Sequence, residues 1–108
     1  MPNQSTALDL AFGALSDPAR RAMVLRLTRG PTSVTELARP LAMSLPSVLQ
    51  HLAVLEDSGL VRSHKRGRVR TCRISPDALV LAEHWISARR AEWSARLDRL
   101  GQYLDQDI

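Results

Sequence analysis

Cysteine is nearly missing from this chain of 108 residues: Cys72 stands alone. One thiol can form no disulfide within the chain and no cluster of thiolates around a metal. Long apolar runs are missing too, since no stretch approaches the roughly 20 residues that a membrane-spanning helix needs. The first residues, Met1 to Thr6, lack the charged start and apolar core of a secretory signal, so a cytoplasmic protein without a membrane partner is expected. There are no repeats and no low-complexity linker. Nor does the sequence group a nucleophile with a base, a glycine-rich phosphate loop or paired carboxylates at useful spacing, which argues against an enzyme. The length fits one domain, residues 1–108, with a core small enough for stability to lean on a partner.

Acids are absent from residues 62 to 73, where Arg62, Lys65, Arg66, Arg68, Arg70 and Arg73 supply six of the fifteen basic residues. With a net charge of +4, this unevenness predicts an anionic partner. The segment just before it reads as a helix. Ser44 can cap its first turn, Pro46 is tolerated there, and Gly59 is placed to end it. Leu45, Val48, Leu52 and Leu55 follow the helical repeat and predict one buried stripe, leaving Ser47, Gln50 and Val54 on the opposite face. A helix with small polar donors outward can enter a major groove.

The flanking elements follow from local chemistry. Leu8, Ala11, Phe12 and Leu15 share a face of a first helix over about 7–15. Asp17-Pro18 opens a second, with Ala22 and Leu25 among its expected buried residues, and Gly30-Pro31 ends it. Thr32 or Ser33 caps a short third helix holding Val34, Leu37 and Ala38, with Glu36 placed as a capping-box partner. Helix, turn and helix over about 32–60 form a helix-turn-helix unit. Val61, Val69, Thr71, Cys72 and Ile74 suit two strands joined at Lys65-Arg66-Gly67-Arg68, a hairpin wing over about 61–74. The predicted fold is mainly α with a small β-hairpin wing: a winged helix-turn-helix.

Ser75-Pro76-Asp77 starts a long last helix, about 77–104. Leu79, Ile86, Trp93 and Leu100 recur every seven residues, and Leu97 and Leu104 add a neighbouring line. Such a stripe needs a surface. The winged core is nearly closed by its own helices, so the stripe is expected to meet the same helix of a second subunit, giving a homodimer joined through terminal helices. Packing back on its own domain is the alternative.

Three segments carry a resemblance: Ala14-Leu15-Ser16-Asp17-Pro18-Ala19-Arg20-Arg21, then Ser33-Val34-Thr35-Glu36-Leu37-Ala38, then Ser47-Val48-Leu49-Gln50-His51-Leu52 with Leu55-Glu56-Asp57-Ser58-Gly59-Leu60-Val61. In order and spacing they resemble ArsR/SmtB-type winged-helix repressors across nearly the whole chain. The resemblance implies a homodimer, double-stranded operator DNA read by the second helix of the helix-turn-helix, a wing gripping the flanking backbone, and repression relieved by a signal such as a small-molecule inducer. Many members sense metals through cysteines in the third helix or Asp, His and Glu ligands on the last. Residues 32–43 here hold no cysteine or histidine, and Asp77, Glu83 and His84 leave a four-ligand zinc site incomplete, so no metal or other cofactor is expected. The segment 85–104 instead resembles the non-metal branch of the family. By the same resemblance, Leu49 stands where Ser or Thr is frequent and Ala53 where Lys or Arg is common, which shifts affinity toward the wing.

The expected DNA contacts are Ser44, Ser47 and Gln50 on the helix and Lys65, Arg66, Arg68 and Arg70 on the wing, with His51 placed between a DNA contact and a packing residue. Gln suits adenine and Ser is permissive. Like cations crowded without acid repel, a cost that phosphate contact offsets. Cys72, alternating with Thr71, reads as a small core residue rather than a thiol sensor. A winged-helix protein-interaction module and a metal- or thiol-responsive sensor of the same fold are the rival readings.

Overall fold

The computed structural model describes residues 4–106, with side chains from Ser5 onward. The expectation drawn from the first residues, Met1 to Asn3, therefore lies outside them. Helix α1 spans Gln4–Ala14 and α2 Pro18–Leu27. A two-residue strand β1, Thr32–Ser33, leads into α3, Val34–Ala38, followed by α4, Leu45–Asp57. Strands β2, Val61–Arg66, and β3, Val69–Ile74, form the wing, and α5 runs over Pro76–Gln106. This is the winged helix-turn-helix that the sequence predicts.

Each boundary has a local cause. The Asp17 carboxylate accepts from the backbone N–H groups of Ala19 at 2.8 Å and Arg20 at 3.2 Å, with Pro18 at the first helical position, where its missing N–H costs nothing. Ser33 caps α3 by accepting from Glu36 N–H at 3.2 Å, while the Glu36 side chain pairs with Arg39 at 2.9 Å instead of closing a capping box. Ser44 caps α4 in the same way through Ser47 N–H at 3.3 Å. Gly67 has φ +64°, the left-handed value that the first residue of a two-residue hairpin turn with Arg68 requires.

The core gathers Met23, Leu27, Leu37, Val48, Leu52, Leu55, Leu60, Val61 and Cys72, with Leu15, Leu41, Ile74 and Leu79 packed against it. Two expectations about its membership fail. Leu45 is 52% exposed, because at the first turn of α4 the stripe runs past the edge of the core; Val48, Leu52 and Leu55 alone carry it. In α2 the buried residues are Met23, Val24 and Leu27, whereas Ala22 and Leu25 face solvent. That helix has apolar residues on all sides, so periodicity singles out no face.

The wing is three-stranded and antiparallel in the order β1-β3-β2, Thr32 pairing with Cys72 and Ser33 with Thr71. In the β2–β3 register Val61 faces Ile74, Ser63 faces Cys72 and Lys65 faces Arg70, so these six share the sheet face that carries the buried Val61 and Cys72. Strand α-side packing ends with α5: Ala82 is its one buried residue, and every described residue from Glu83 to Gln106 is exposed. The molecule measures 71 × 33 × 21 Å, with a radius of gyration of 19.1 Å. A compact domain of about 100 residues has roughly 13 Å; the projecting helix accounts for the excess.

Candidate nucleic-acid interface

Helix α4 turns Ser47, Gln50 and Val54 away from its buried stripe, as expected. The Gln50 side chain is exposed and makes no hydrogen bond among the described residues, so its amide keeps both donors and its acceptor. Ser44 is committed to the cap, and its hydroxyl donates to Ser47 Oγ at 3.0 Å. Ser47 thus accepts from within the chain and retains its own O–H for an outside acceptor. Leu49, 44% exposed, lies instead beside Leu45, one turn on, at the groove that faces the wing.

Between α4 and the wing runs a groove of about 400 Å³, with Thr35, Leu45 and Leu49 on one side and Lys65, Arg68 and Arg70 on the other. Leu45 and Leu49 are exposed because they border this groove. Lys65, Arg66 and Arg68 are exposed, and their side chains have no ion pair or hydrogen bond among the described residues. Arg70 differs. Its Nη1 donates to Ser63 Oγ at 3.0 Å, and the Ser63 hydroxyl donates in turn to Glu56 Oε1 on α4. The cations therefore divide into three free ones at the tip and one tied back to the helix.

His51 is drawn inward. Its Nδ1 lies 3.2 Å from Arg20 Nη1 and 4.0 Å from Asp17 Oδ1. A guanidinium has no acceptor, so in this contact Arg20 can only be the donor. Arg20 also donates from Nε to the Ala14 carbonyl at 2.7 Å and from Nη2 to the Gly13 carbonyl at 3.3 Å, satisfying the last carbonyls of α1. The side chain joins the end of α1 to α4. The Asp17 carboxyl is held below its ordinary range, chiefly by the Arg20 backbone N–H, against the opposing effect of burial; the Ala19 N–H, His51 and the Arg20 guanidinium add to the lowering. His51 takes part in this junction while part of its ring stays exposed.

Cys72 is fully buried on β3. Burial pushes its thiol up, Glu56 adds to this, and Arg70 pulls the other way, so the thiolate that would react is disfavoured. Among the described residues, no group of three or more His, Cys, Asp or Glu side chains comes together to hold a metal. No helix among them is long and apolar enough to cross a membrane.

The six residues expected at a dimer interface separate. Leu79 packs against its own core, whereas Ile86, Trp93, Leu97, Leu100 and Leu104 are all exposed. Beside Ile86, a cleft of about 360 Å³ continues the apolar surface onto Phe12 of α1 and Leu15 just beyond its end. Phe12 meets Trp85 edge to face, with ring centroids 5.8 Å apart, and the Arg89 guanidinium lies 5.2 Å over the same indole. Glu56, Ser63 and Arg20 are the positioning residues that sequence reading missed. Arg20 alone left a signal, in the quoted Asp17-to-Arg21 segment.

Comparison with known proteins agrees with this geometry. Residues 15–64 match a helix-turn-helix domain family. The HTH-type transcriptional regulator Rv2034 of Mycobacterium tuberculosis is 38% identical over 92% of this chain and 90% of its own length. The arsenical resistance operon repressor of Escherichia coli is 35% identical over 68% of each. Among solved structures, an ArsR family transcriptional regulator is 46% identical with a TM-score of 0.81, covering 87% of this chain and 97% of that one. An ArsR-like transcriptional regulator from Rhodococcus sp. RHA1 is 33% identical with a TM-score of 0.76, covering 91% and 92%. With its three-stranded wing, polar-faced α4 and near full-length relatives, the chain belongs to the ArsR family of winged helix-turn-helix transcriptional regulators.

Proposed function

We propose that the chain is a homodimeric repressor that reads an imperfect inverted-repeat operator, with Ser47 and Gln50 on base edges and Lys65, Arg66 and Arg68 on phosphates. In this reading residues 32–60 recognise DNA, 61–74 grip its flanks and 77–104 pair with a second copy. The observation that carries it is an exposed Gln50 with an uncommitted side chain on α4, followed in the chain by a wing whose Lys65 and Arg68 line the groove beside α4 with no side-chain partner among the described residues. Repressor names among the relatives support the direction of regulation. Paired subunits present their helices to successive major-groove faces about 34 Å apart, hence the inverted repeat.

A salt titration on the fragment that the protein selects from random duplexes, and on a scrambled duplex of equal length, tests the division of labour. Arg66→Ala weakens both and lowers the salt slope by about one per lost phosphate contact. Gln50→Ala loses roughly 1–3 kcal/mol of operator preference and keeps its affinity for scrambled DNA. Arg66→Ala changing preference alone, with Gln50→Ala weakening all DNA equally, reverses the assignment.

A further inference from the structure

Arg70 is the one cation at the groove with an internal tether, and the tether ends on the recognition helix. Ser63 and Arg70 are diagonal neighbours across β2 and β3, because Ser63 faces Cys72 and Lys65 faces Arg70. Glu56 is the penultimate residue of α4, seven residues ahead of Ser63. A serine hydroxyl has one donor and two acceptor sites. It accepts from Arg70 at 3.0 Å and donates to Glu56, so cation and anion are joined through one neutral relay rather than in direct contact. All three side chains are partly buried, where such charge-assisted bonds are less screened than at the surface. Cys72 registers both charges, Glu56 raising its thiol and Arg70 lowering it, which places the two ends of the relay around the same point of β3.

We infer that Glu56 is a specificity-determining positioning residue: through Ser63 it holds Arg70 off the DNA backbone and fixes the lean of the wing against α4. The inference rests on the DNA-binding reading above. A fourth cation released at the groove adds a phosphate contact that carries no sequence information. A wing freed from α4 also loses the register in which Gln50 and the tip cations engage one duplex together. Removing the acid therefore raises affinity for any DNA and lowers the preference for operator. A merely structural acid would weaken both.

The variant is Glu56→Gln, nearly isosteric, which replaces the charge-assisted acceptor of the Ser63 hydroxyl by a neutral amide of roughly half the strength and so loosens the tether. Asp57→Asn, the same charge change on the neighbouring exposed residue, is the control. Anisotropy titrations on the selected fragment and the scrambled duplex should show operator preference falling about fivefold in Glu56→Gln. The salt slope on scrambled DNA should steepen by about one. Asp57→Asn should move neither by as much, and Arg70→Gln placed in the Glu56→Gln background should return the slope to its starting value. Hydrogen exchange without DNA reads the restraint directly: wing amides beyond Ser63 should exchange faster in Glu56→Gln than in Asp57→Asn. Equal exchange in the two variants overturns the tether. Faster exchange with unchanged preference and slope overturns the role in specificity while leaving the DNA-binding reading intact. A wild-type protein that binds neither duplex removes that reading and the specificity role with it, and the exchange result then judges the tether alone.

Discussion

Helices α4 and α5 both carry apolar residues at i, i+3, i+4 and i+7 spacing, yet they end in opposite surroundings. In α4, Val48, Leu52 and Leu55 disappear into the core, while in α5 Trp93, Leu97, Leu100 and Leu104 each keep half or more of their surface in water. Periodicity therefore states that a face exists and leaves open what covers it. The difference lies in what the chain can bring to each helix. Helices α1 and α2 and strand β2 pack against α4, whereas every described residue of α5 beyond Ala82 is exposed and α1 is the helix that packs along its first turns. Isolated, such a projecting helix would gain nothing from its apolar residues; a second copy offers the matching stripe.

The sharpest way to break this contrast is at Leu100. If α5 pairs with its copy, the wild type is a dimer at micromolar concentration, with an interface on the order of 2,000 Å². Leu100→Asp should then raise the dimer dissociation constant about a hundredfold or more. Because the core lies elsewhere, the variant keeps a cooperative unfolding transition while losing part of its helical circular dichroism. Light scattering that finds the unmodified protein monomeric and fully helical ends the comparison.

The same test applies within one helix. Leu55→Ala, in the covered part of the α4 stripe, should cost about 2–5 kcal/mol in denaturant unfolding. Leu45→Ala, on the exposed first turn, should stay within about 0.5 kcal/mol. Equal losses would mean that the stripe runs the full length of α4 after all. Cys72 extends the contrast to chemistry: buried, with its thiolate disfavoured, it should react with a thiol reagent at neutral pH only after denaturant opens the core. Rapid labelling of the native protein would revive the thiol-responsive reading.

What could be read from sequence was the short-range chemistry. Asp17-Pro18, Ser33 and Ser44 as caps and Gly67 as the turn residue depend on neighbours within three positions, and the structure shows each of them. Burial depends on which neighbour arrives, so Leu25 and Leu45, apolar and in phase with something, fall outside the core. Strand β1 escaped because two residues, Thr32 and Ser33, cannot display an alternation; their pairing exists only through Cys72 and Thr71, some forty positions on. The Glu56–Ser63–Arg70 relay escaped for a related reason. Its members are seven residues apart at each step, and only the β2–β3 register and the return of the chain past α4 bring them together.

The smallest expected effect concerns the junction that anchors the covered region, and it depends on pH. Asp17 is held below its ordinary range first by the Arg20 backbone N–H, with Ala19 N–H, His51 and the Arg20 guanidinium helping against burial. A carboxyl whose folded value lies below its unfolded value, about 3.9, stabilises the fold fully above that unfolded value. The contribution is lost as the pH falls through the folded value. Asn in its place still accepts from the α2 N–H groups but carries no charge. Asp17→Asn should therefore be slightly less stable than wild type near pH 6, and the gap should close as acid protonates the wild-type side chain. Urea midpoints at pH 6 and pH 3 measure this directly. A gap that widens in acid would mean that the neutral carboxyl, not the carboxylate, is what α2 and His51 hold.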